Sequence, residues 1–339
     1  MNRAFAEQGT LDIHVEEYRG SAGRHDARRS NLFSRTNGFS FSDPCNGHLQ
    51  TSTATTDKLA IRVGRVRSTG HEIDLTELNH ATVLLPTRGQ LQARSRRAEH
   101  SCKPGEALLF GPNRRTTRAV SENGQRFDAN VLLFPTEVLT AALDSRASEK
   151  TGGLLETGVN LQREDKAASP FLKFCDFLSS AIMSGSSAVT DRRHLHSMEA
   201  LLIELYGEFI SQLAATAGNC ETPPAGARYV ATAEEYMRAN LTEPLTVSGI
   251  AAAIGVSPRS LQLAFREVRA AAPREILALM RLHLVHEKLK SDKTCAGVTE
   301  IALECGVANI GRFAKSYRES FGEKPSTTRR RARSASRAK

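Results

Sequence analysis

The sequence has no tryptophan, few other aromatic residues and no long apolar run. Because a membrane-spanning helix needs about 18 or more consecutive apolar residues, we expect neither such a helix nor a membrane partner. The first 30 residues also lack the apolar core of a secretory signal. The six cysteines are scattered, with no Cys-x-x-Cys pair, which favours reduced thiols in the cytoplasm over a disulfide framework.

Catalytic and metal-binding patterns are missing as well. The chain has no Gly-rich phosphate loop and no Gly-x-Ser-x-Gly. Its one His-x-His, at 194–196, falls in a helical segment, where side chains two residues apart point in different directions. His283 and His286, followed by Glu287, do not have the order of a zinc protease helix and are predicted to lie on a solvated helix face. We therefore expect no enzyme activity, no cofactor and no bound metal.

Charge is distributed unevenly along the chain. Residues 1–227 contain 26 Lys and Arg against 26 Asp and Glu, whereas residues 228–339 contain 20 against 11 and carry the whole net charge of +9. A basic third beside a neutral two-thirds indicates one domain that binds a polyanion and one with another task. Six of the basic residues lie in 329–339, so a solubilising tail remains an alternative at this point.

At 339 residues the chain is long enough for two domains. Residues 1–55 are rich in Ser, Gly, Asn and Arg and are predicted to form a loose polar arm. Residues 56–220 begin with short strand-like runs, separated by turns such as Pro104-Gly105, and become helical after Pro135. We predict an antiparallel, cupin-like β-barrel with flanking helices, followed by a Pro/Gly-rich linker at 221–228.

Two apolar sets within 56–220 each have two interpretations. One repeats at alternating spacings of three and four, which suits either a dimer interface or a helix buried against the barrel: Leu195, Met198, Leu202, Leu205 and Phe209. The other lies on strands and could line a small-molecule effector pocket or fill a plain core: Val83, Leu85, Leu91, Leu109, Phe110 and Leu132.

The C-terminal segment contains one pattern twice. Ile-Ala-x-x-x-Gly-Val occurs at 250–256 and again 51 residues later at 301–307. The glycine suits a turn that needs a positive φ, and a polar cap follows it at Ser257 or Asn309. An apolar stripe at i, i+4 then follows each copy: Leu261 with Phe265, and Phe313 with Tyr317. A short turn with Gly, leading into a helix with an exposed basic face, describes a helix-turn-helix.

A connector helix is predicted between the two copies, from Pro273 to about Leu289. Its roughly 15 residues would span about 22 Å. Such a connector could hold two recognition helices over successive major-groove segments. The candidate DNA-contacting residues lie in and before the two recognition helices: Ser257, Arg259, Ser260, Gln262, Leu263, Arg266, Asn309, Ile310, Gly311, Arg312, Lys315 and Arg318.

Different roles are predicted within this set. Arg259 and Gln262 are expected to read bases, because Gln can pair with adenine through two hydrogen bonds. Ile310 could pack on a thymine methyl group. Arg266 and Lys315 are expected to hold backbone phosphates, which position a protein on DNA without reading its sequence.

Residues 229–329 closely resemble the DNA-binding domain of the AraC/XylS family of bacterial transcription regulators. The similarity rests on EPLTVSGIAAAIGVSPRSLQLAF, on the connector PREILALMRLHLVHEKL and on VTEIALECGVANIGRFAKSYRESFGEKPSTTRR. Upstream, HATVLLPTRGQLQARSRRAEHSCKPGEALLFGP is similar, more loosely, to the regulatory domain of such proteins. The resemblance implies promoter DNA and RNA polymerase as partners, a small-molecule effector, a homodimer and activation of transcription. Val307 departs from the family, which usually has Phe there.

The sequence therefore predicts an α+β protein with an N-terminal cupin-like β-barrel. Its C-terminal all-α domain, at 229–329, would contain two helix-turn-helix units and the connector, and a basic tail would follow at 330–339. The expected function is that of a cytoplasmic, sequence-specific transcription regulator. The alternative is a nucleoid-type protein that binds DNA without sequence preference.

Overall fold

A computed structural model describes most of the chain in two compact units, Met1–Thr222 and Pro223–Lys339. We refer to them as the N-terminal and C-terminal domains. The α+β class is confirmed, since the described strands lie in the first domain and the second contains helices. The described residues are 11, 13–20, 32–56, 58–95, 98–122, 124–141, 155, 157–186, 191–216, 225–269, 271–291, 296–321 and 323–337.

The described strands of the N-terminal domain pair entirely antiparallel. Seven form one sheet in the order β1-β3-β4-β11-β6-β9-β12, and five form another in the order β2-β5-β10-β7-β8. The predicted barrel is thus an open pair of cupin-like sheets. The strands are β1 His14–Arg19, β2 Arg35–Phe41, β3 His48–Thr55, β4 Arg62–Ser68, β5 His71–Glu77, β6 His80–Arg88, β7 Gln90–Ser95, β8 Glu99–Cys102, β9 Glu106–Phe110, β10 Asn113–Val120, β11 Phe127–Pro135 and β12 Val159–Gln162.

The seven-stranded sheet is covered on both faces. One face packs with the five-stranded sheet around residues such as Leu84, Leu91 and Phe127. The other face packs against helices around residues such as Val83 and Leu132. The central strands β6 and β11 are buried along almost their whole length, and burial on both faces explains why their runs at 83–85 and 131–134 lack polar alternation.

Three helices complete the described part of this domain, namely α1 Thr136–Ala141, α2 Ser169–Met183 and α3 Arg192–Thr216. Helix α3 is anchored by the buried carboxylate of Glu199, which accepts hydrogen bonds from the hydroxyl of Thr56 and from the backbone N–H of Leu59. Its apolar residues join the core formed with the seven-stranded sheet, and the rings of Phe209 and Phe171 stack 5.8 Å apart.

The predicted dimer seam therefore belongs to the interior of one chain. Three of its residues, Leu195, Leu202 and Phe209, are at most 2% exposed. Met198 and Leu205 are partly buried against the same core. The alternative interpretation, a helix buried on the strands, is the one that the structure supports.

The N-terminal segment differs from the predicted loose arm. Strand β1 pairs with β3, β3 pairs with β4, and β2 pairs with β5, so these stretches of residues 1–55 are built into both sheets. Backbone pairing holds them, and such pairing needs little apolar character in the strand itself. The predicted arm also includes residues 1–10, 12 and 21–31, which lie outside the described part of the chain.

The C-terminal domain consists, in its described part, of helices joined by short turns. They are α4 Ala225–Ala239, α5 Val247–Ala253, α6 Pro258–Val268, α7 Pro273–Ser291, α8 Val298–Glu304, α9 Ile310–Phe321 and α10 Pro325–Arg337. The connector α7 begins at the predicted proline, and its 19 residues span about 28 Å.

Two predicted boundaries of this domain need correction. The linker predicted at 221–228 overlaps α4, which already begins at Ala225, while residues 221–224 lie outside the described part. The basic tail predicted at 330–339 continues a helix as far as Arg337, and residues 338 and 339 are not described. Pro325 fits the start of this helix, and Arg and Ala are good helix formers.

Candidate DNA-binding surface

The first candidate recognition helix, α6, has one buried and one exposed face. Leu261 and Phe265 are completely buried, which confirms the predicted apolar stripe. Arg259, Gln262 and Arg266 are exposed, and within the described part of the chain their side chains make no hydrogen bond or ion pair. A donor-rich face of this kind is what a helix needs to contact base edges and phosphates.

The start of α6 is set by local chemistry. The Ser257 hydroxyl accepts a hydrogen bond from the backbone N–H of Ser260 at 3.0 Å, and Pro258 occupies the first turn. Ser257 therefore caps the helix, as predicted, and both serines remain exposed. Leu263 on the same helix is 50% exposed, so α6 also offers an apolar surface beside its polar residues.

Both helix-turn-helix units turn at a glycine with positive φ. Gly255 has a φ of +72° and Gly306 a φ of +77°, which confirms the prediction for the two repeats. This left-handed conformation carries a steric penalty for residues with a Cβ atom. The equivalent glycines thus fix the same change of direction between α5 and α6 and between α8 and α9.

Two arginines fix the first unit within its domain. Arg269, at the end of α6, pairs side-on with Glu234 of α4, with N···O distances of 2.7 and 2.9 Å. Arg281 of the connector donates through Nε to the carbonyl oxygen of Leu241 at 2.8 Å and also bonds the carbonyl of Glu243. The chain before α5 is therefore held against the connector, and α6 is held against α4.

The second candidate recognition helix, α9, repeats the arrangement. The side chain of Asn309 accepts a hydrogen bond from the backbone N–H of Arg312 at 2.9 Å, which confirms it as a cap. Phe313 and Tyr317 are buried. The remaining predicted contact residues on this helix are exposed: Gly311, Arg312, Lys315 and Arg318.

Ile310 is placed differently from the prediction. Its side chain is partly buried and packs against the core of the second unit, together with Val307. The residue therefore contributes to packing beneath α9 instead of presenting an apolar group for a thymine methyl. Val307, smaller than the Phe usual in the family, packs against the same core.

The connector histidines are also placed differently from the solvated face predicted for them. The ring of His286 stacks on Phe321 with centroids 3.9 Å apart, and His283 contacts Phe321 edge-on at 5.1 Å. The Nδ1 atom of His286 lies 2.7 Å from the Tyr317 hydroxyl, which donates to Thr328 at 2.9 Å. These contacts join α7, α9 and α10, so the histidines support the second recognition helix.

The N-terminal domain contains an apolar cavity of about 60 Å³ between its two sheets. Its walls include Tyr18, Phe33, Phe39, His71, Thr117 and Phe127. Burial lowers the pKa of His71 to about 4, so this wall is uncharged at neutral pH.

The predicted effector-pocket residues mostly lie elsewhere. Val83, Leu85, Leu109 and Leu132 point to the helix side of the seven-stranded sheet and fill the core there. Phe110 faces the space between the sheets without lining the cavity, so Leu91 is the one predicted residue among its walls. The other interpretation, that these residues fill a plain core, is the one that the structure supports. The sequence does not show which face lines the cavity, because apolar runs buried on both sides carry no polar alternation.

Comparison with known families covers both domains in order. Residues 46–206 match the AraC-binding-like domain, and residues 250–331 match a helix-turn-helix domain. The chain belongs to the AraC/XylS family of transcription regulators.

Its relatives within AraC/XylS include two operon regulators. The "Probable thc operon regulatory protein" of Rhodococcus erythropolis is 29% identical over 283 residues, which are 78% of this chain and 81% of that protein. The "XylDLEGF operon transcriptional activator 3" of Pseudomonas putida is 28% identical over 255 residues, 74% of this chain and 72% of the activator. A solved structure, described as that of "a probable AraC family transcriptional regulator" from Rhodopseudomonas palustris CGA009, is 40% identical, covers 31% of this chain and 97% of its own, and has a TM-score of 0.30.

Membership in AraC/XylS points to regulation rather than to catalysis. Among the described residues, no three His, Cys, Asp or Glu side chains are grouped so that they could hold a metal ion. In the same part of the chain, no helix has both the length and the apolar character to cross a membrane. Cys45, Cys102, Cys175 and Cys305 are free thiols, and the other two cysteines, Cys220 and Cys295, lie outside the described residues.

Proposed function

We propose that this protein is a sequence-specific transcription regulator that reads two adjacent major-groove segments of promoter DNA. The observation that carries the proposal is the pair of helix-turn-helix units, which share turn glycine, helix cap and buried stripe and both expose basic residues. A nucleoid-type protein needs only positive charge, and charge alone gives no reason for two matched recognition helices.

Within the first unit, we assign base reading to Arg259 and Gln262. Both are exposed on α6, close to its capped start, which is the part of a recognition helix that contacts base edges. Arg can bond guanine and Gln can bond adenine through paired hydrogen bonds. Leu263, half exposed between them and Arg266, can contact a thymine methyl group.

Phosphate contacts fall to the remaining basic residues. Arg266 lies further along α6, and Arg312, Lys315 and Arg318 lie along the exposed face of α9. With Gly311 and the partly buried Ile310 at its start, α9 presents few base readers. We therefore assign sequence selection chiefly to α6 and backbone anchoring chiefly to α9.

Gln262→Ala tests this division of roles. We expect binding to the preferred site to weaken by about 1–3 kcal/mol, with little change on scrambled DNA, because a base contact is lost. Arg266→Ala is the matched control, because it should weaken binding to all DNA sequences alike. It should also lower the slope of log affinity against log salt concentration by about one. Fluorescence anisotropy titrations on both DNAs at several salt concentrations measure the two quantities. An equal loss on every sequence for Gln262→Ala would remove it from base reading.

We further propose that the protein activates transcription through contact with RNA polymerase and does so in the cytoplasm, where the bacterial chromosome lies. Support comes from the relatives, of which one is named a transcriptional activator of an operon. The N-terminal cavity is the proposed binding site of a small-molecule effector. A homodimer would need a surface other than the seam of α3, which packs within its own domain.

A further inference from the structure

A buried arginine in the N-terminal domain has unused hydrogen-bonding capacity. Arg115 of β10 is only 1% exposed, and its Nη1 donates to the side-chain oxygen of Asn113 at 2.8 Å. Its Nε and Nη2 atoms are buried and meet no acceptor among the described residues. Buried N–H groups of a charged side chain are costly to leave unpaired, so such an arrangement indicates a site for a polar partner.

The same two nitrogen atoms bind carboxylates elsewhere in this protein. Arg65, Arg114 and Arg269 each use Nε and Nη2 together, side-on, to hold one carboxylate of Asp or Glu. This fork is the geometry in which a guanidinium recognises a planar carboxylate with two parallel hydrogen bonds. Arg115 presents that fork in a buried position.

Two aromatic rings hold the guanidinium of Arg115. Its Cζ atom lies 4.7 Å from the ring centroid of Phe110 and 5.7 Å from that of Phe33. Contacts with ring faces stabilise the cation but leave its N–H groups, which lie in the guanidinium plane, unpaired. Burial lowers the pKa of Arg115 to about 10, so it stays charged at neutral pH.

The local carboxylate does not complete the site. Glu77 attracts both Arg62 and Arg115 electrostatically, so its attraction is shared between two guanidinium groups. Its oxygens already accept hydrogen bonds from Ser34, from Nδ1 of His80 and from the backbone N–H of Leu78. Glu77 therefore attracts Arg115 without supplying an acceptor to its Nε and Nη2 atoms.

The cavity between the sheets lies beside this arginine. Phe33, which contacts the guanidinium, also lines the cavity. Thr117, another wall residue, is two residues further along β10 on the same inward face, about 7 Å away along the strand. A water needs about 10–15 Å³, so a cavity of about 60 Å³ has room for roughly four to six small groups.

We propose that the N-terminal domain binds a short-chain monocarboxylate, with its carboxylate on Nε and Nη2 of Arg115 and its apolar body in the cavity beside Phe33. The role of this ligand as the regulator's effector rests on the proposed function, whereas its binding to the N-terminal domain does not. The apolar walls disfavour strongly hydrated dianions such as phosphate, whereas a monocarboxylate combines one planar anion with an apolar tail.

Butyrate is the probe for this site, because its apolar chain of three carbon atoms fits within the room available in the cavity. Isothermal titration calorimetry and thermal unfolding of the full chain, at constant ionic strength and without DNA, should show butyrate binding and a raised unfolding midpoint. Butyramide, which has the same shape without the charge, and inorganic phosphate should have no effect. Equal stabilisation by butyramide or phosphate would overturn the proposal, as would the absence of binding by every carboxylate from acetate to hexanoate.

Arg115→Met is the decisive variant, because methionine keeps an unbranched apolar stem between the two rings. We expect butyrate to bind at least tenfold more weakly. Arg114→Met, the exposed neighbour on the same strand, should bind as the wild type does. Ala129→Leu keeps Arg115 but fills the cavity, so it tests the site independently if Arg115→Met does not fold. Unchanged butyrate binding in Arg115→Met or in Ala129→Leu would overturn the assignment.

The two proposals can fail separately. Arg115→Met should still bind the preferred DNA in the absence of butyrate, because the arginine lies in the other domain. Sequence-specific DNA binding without any carboxylate binding overturns the ligand site and leaves the regulator intact. Butyrate binding by a protein that recognises no DNA sequence supports the site and overturns the proposed function.

Discussion

Gly306→Ala is expected to destabilise the C-terminal domain by about 2–5 kcal/mol, whereas Gly255→Ala costs about 1–2 kcal/mol. Both glycines have a positive φ, which penalises a Cβ atom equally. At Gly306 a Cβ atom would also lie 2.6 Å from the carbonyl oxygen of Leu241 and 2.8 Å from Nε of Arg281. At Gly255 an added Cβ atom would have no atom of the other described residues within 4 Å, its chain neighbours aside.

The clash at Gly306 is difficult to relieve, because its two neighbours hold each other. Arg281 donates to the same Leu241 carbonyl at 2.8 Å, so neither group can withdraw without losing a hydrogen bond. Urea unfolding combined with hydrogen exchange of the amides in α7, α8 and α9 measures the effect within this domain. Equal destabilisation by the two substitutions would mean that the steric contact at Gly306 adds nothing.

Glu77→Gln is expected to lower the free energy of unfolding of the N-terminal domain by about 3–5 kcal/mol, the usual cost of breaking a buried ion pair. The carboxylate is completely buried and accepts from the backbone N–H of Ser34, 2.9 Å from Oε2, and from His80, 2.8 Å from Oε1. A glutamine would present an N–H₂ group to one of these donors. Asp74→Asn on the same strand is the control; its ion pair with Arg114 is exposed, so the cost should stay below about 1 kcal/mol.

The effect of Glu77 should depend on pH in a defined direction. Burial alone would raise the pKa of Glu77, but the attraction of His80 and the hydrogen bonds from His80 and Ser34 outweigh it and lower the pKa to about 2. A depressed carboxylate pKa stabilises the fold above the unfolded value of 4.5 and loses that contribution as pH falls toward 2. The free energies of unfolding of the wild type and Glu77→Gln, measured in urea, should therefore converge as the pH falls between those values. A constant difference down to pH 2 would contradict this account.

The C-terminal domain could be predicted largely from the sequence, because its signals are local. Gly255 and Gly306 mark turns, Ser257 and Asn309 cap the helices that follow, and Pro273 begins the connector. Each residue acts on the backbone within a few positions of itself, so the chain alone reveals its role.

The N-terminal domain depends on contacts between residues far apart in the chain, and the sequence-based predictions failed there. Strands β1, β2 and β3 lie in a polar stretch, and they are held by pairing with β4 and β5 and by the bonds between Ser34 and Glu77. The apolar repeat on α3 fits both a dimer interface and a helix buried within one chain, because both require the same spacing. Only the packing on the strands distinguishes the two.

The inward position of Arg115 could have been predicted from the alternation of inward and outward residues along its strand. In β10, the buried residues Asn113, Arg115, Thr117 and Ala119 alternate with more exposed ones, so the inward face of NRRTTRAV contains one arginine. This alternation predicts that Arg115 points inward. It cannot predict that Nη1 finds an acceptor in Asn113 while Nε and Nη2 do not, because that depends on the neighbouring strands.

The central claim, that two recognition helices read a specific site, is tested most directly by selection from a randomised double-stranded DNA library with the full-length protein at two salt concentrations. The account predicts one enriched motif that persists at the higher salt and contains two elements about one helical turn apart, roughly 34–36 Å. Enrichment of unrelated fragments that are all lost at the higher salt would contradict it and leave a protein that binds DNA through charge alone.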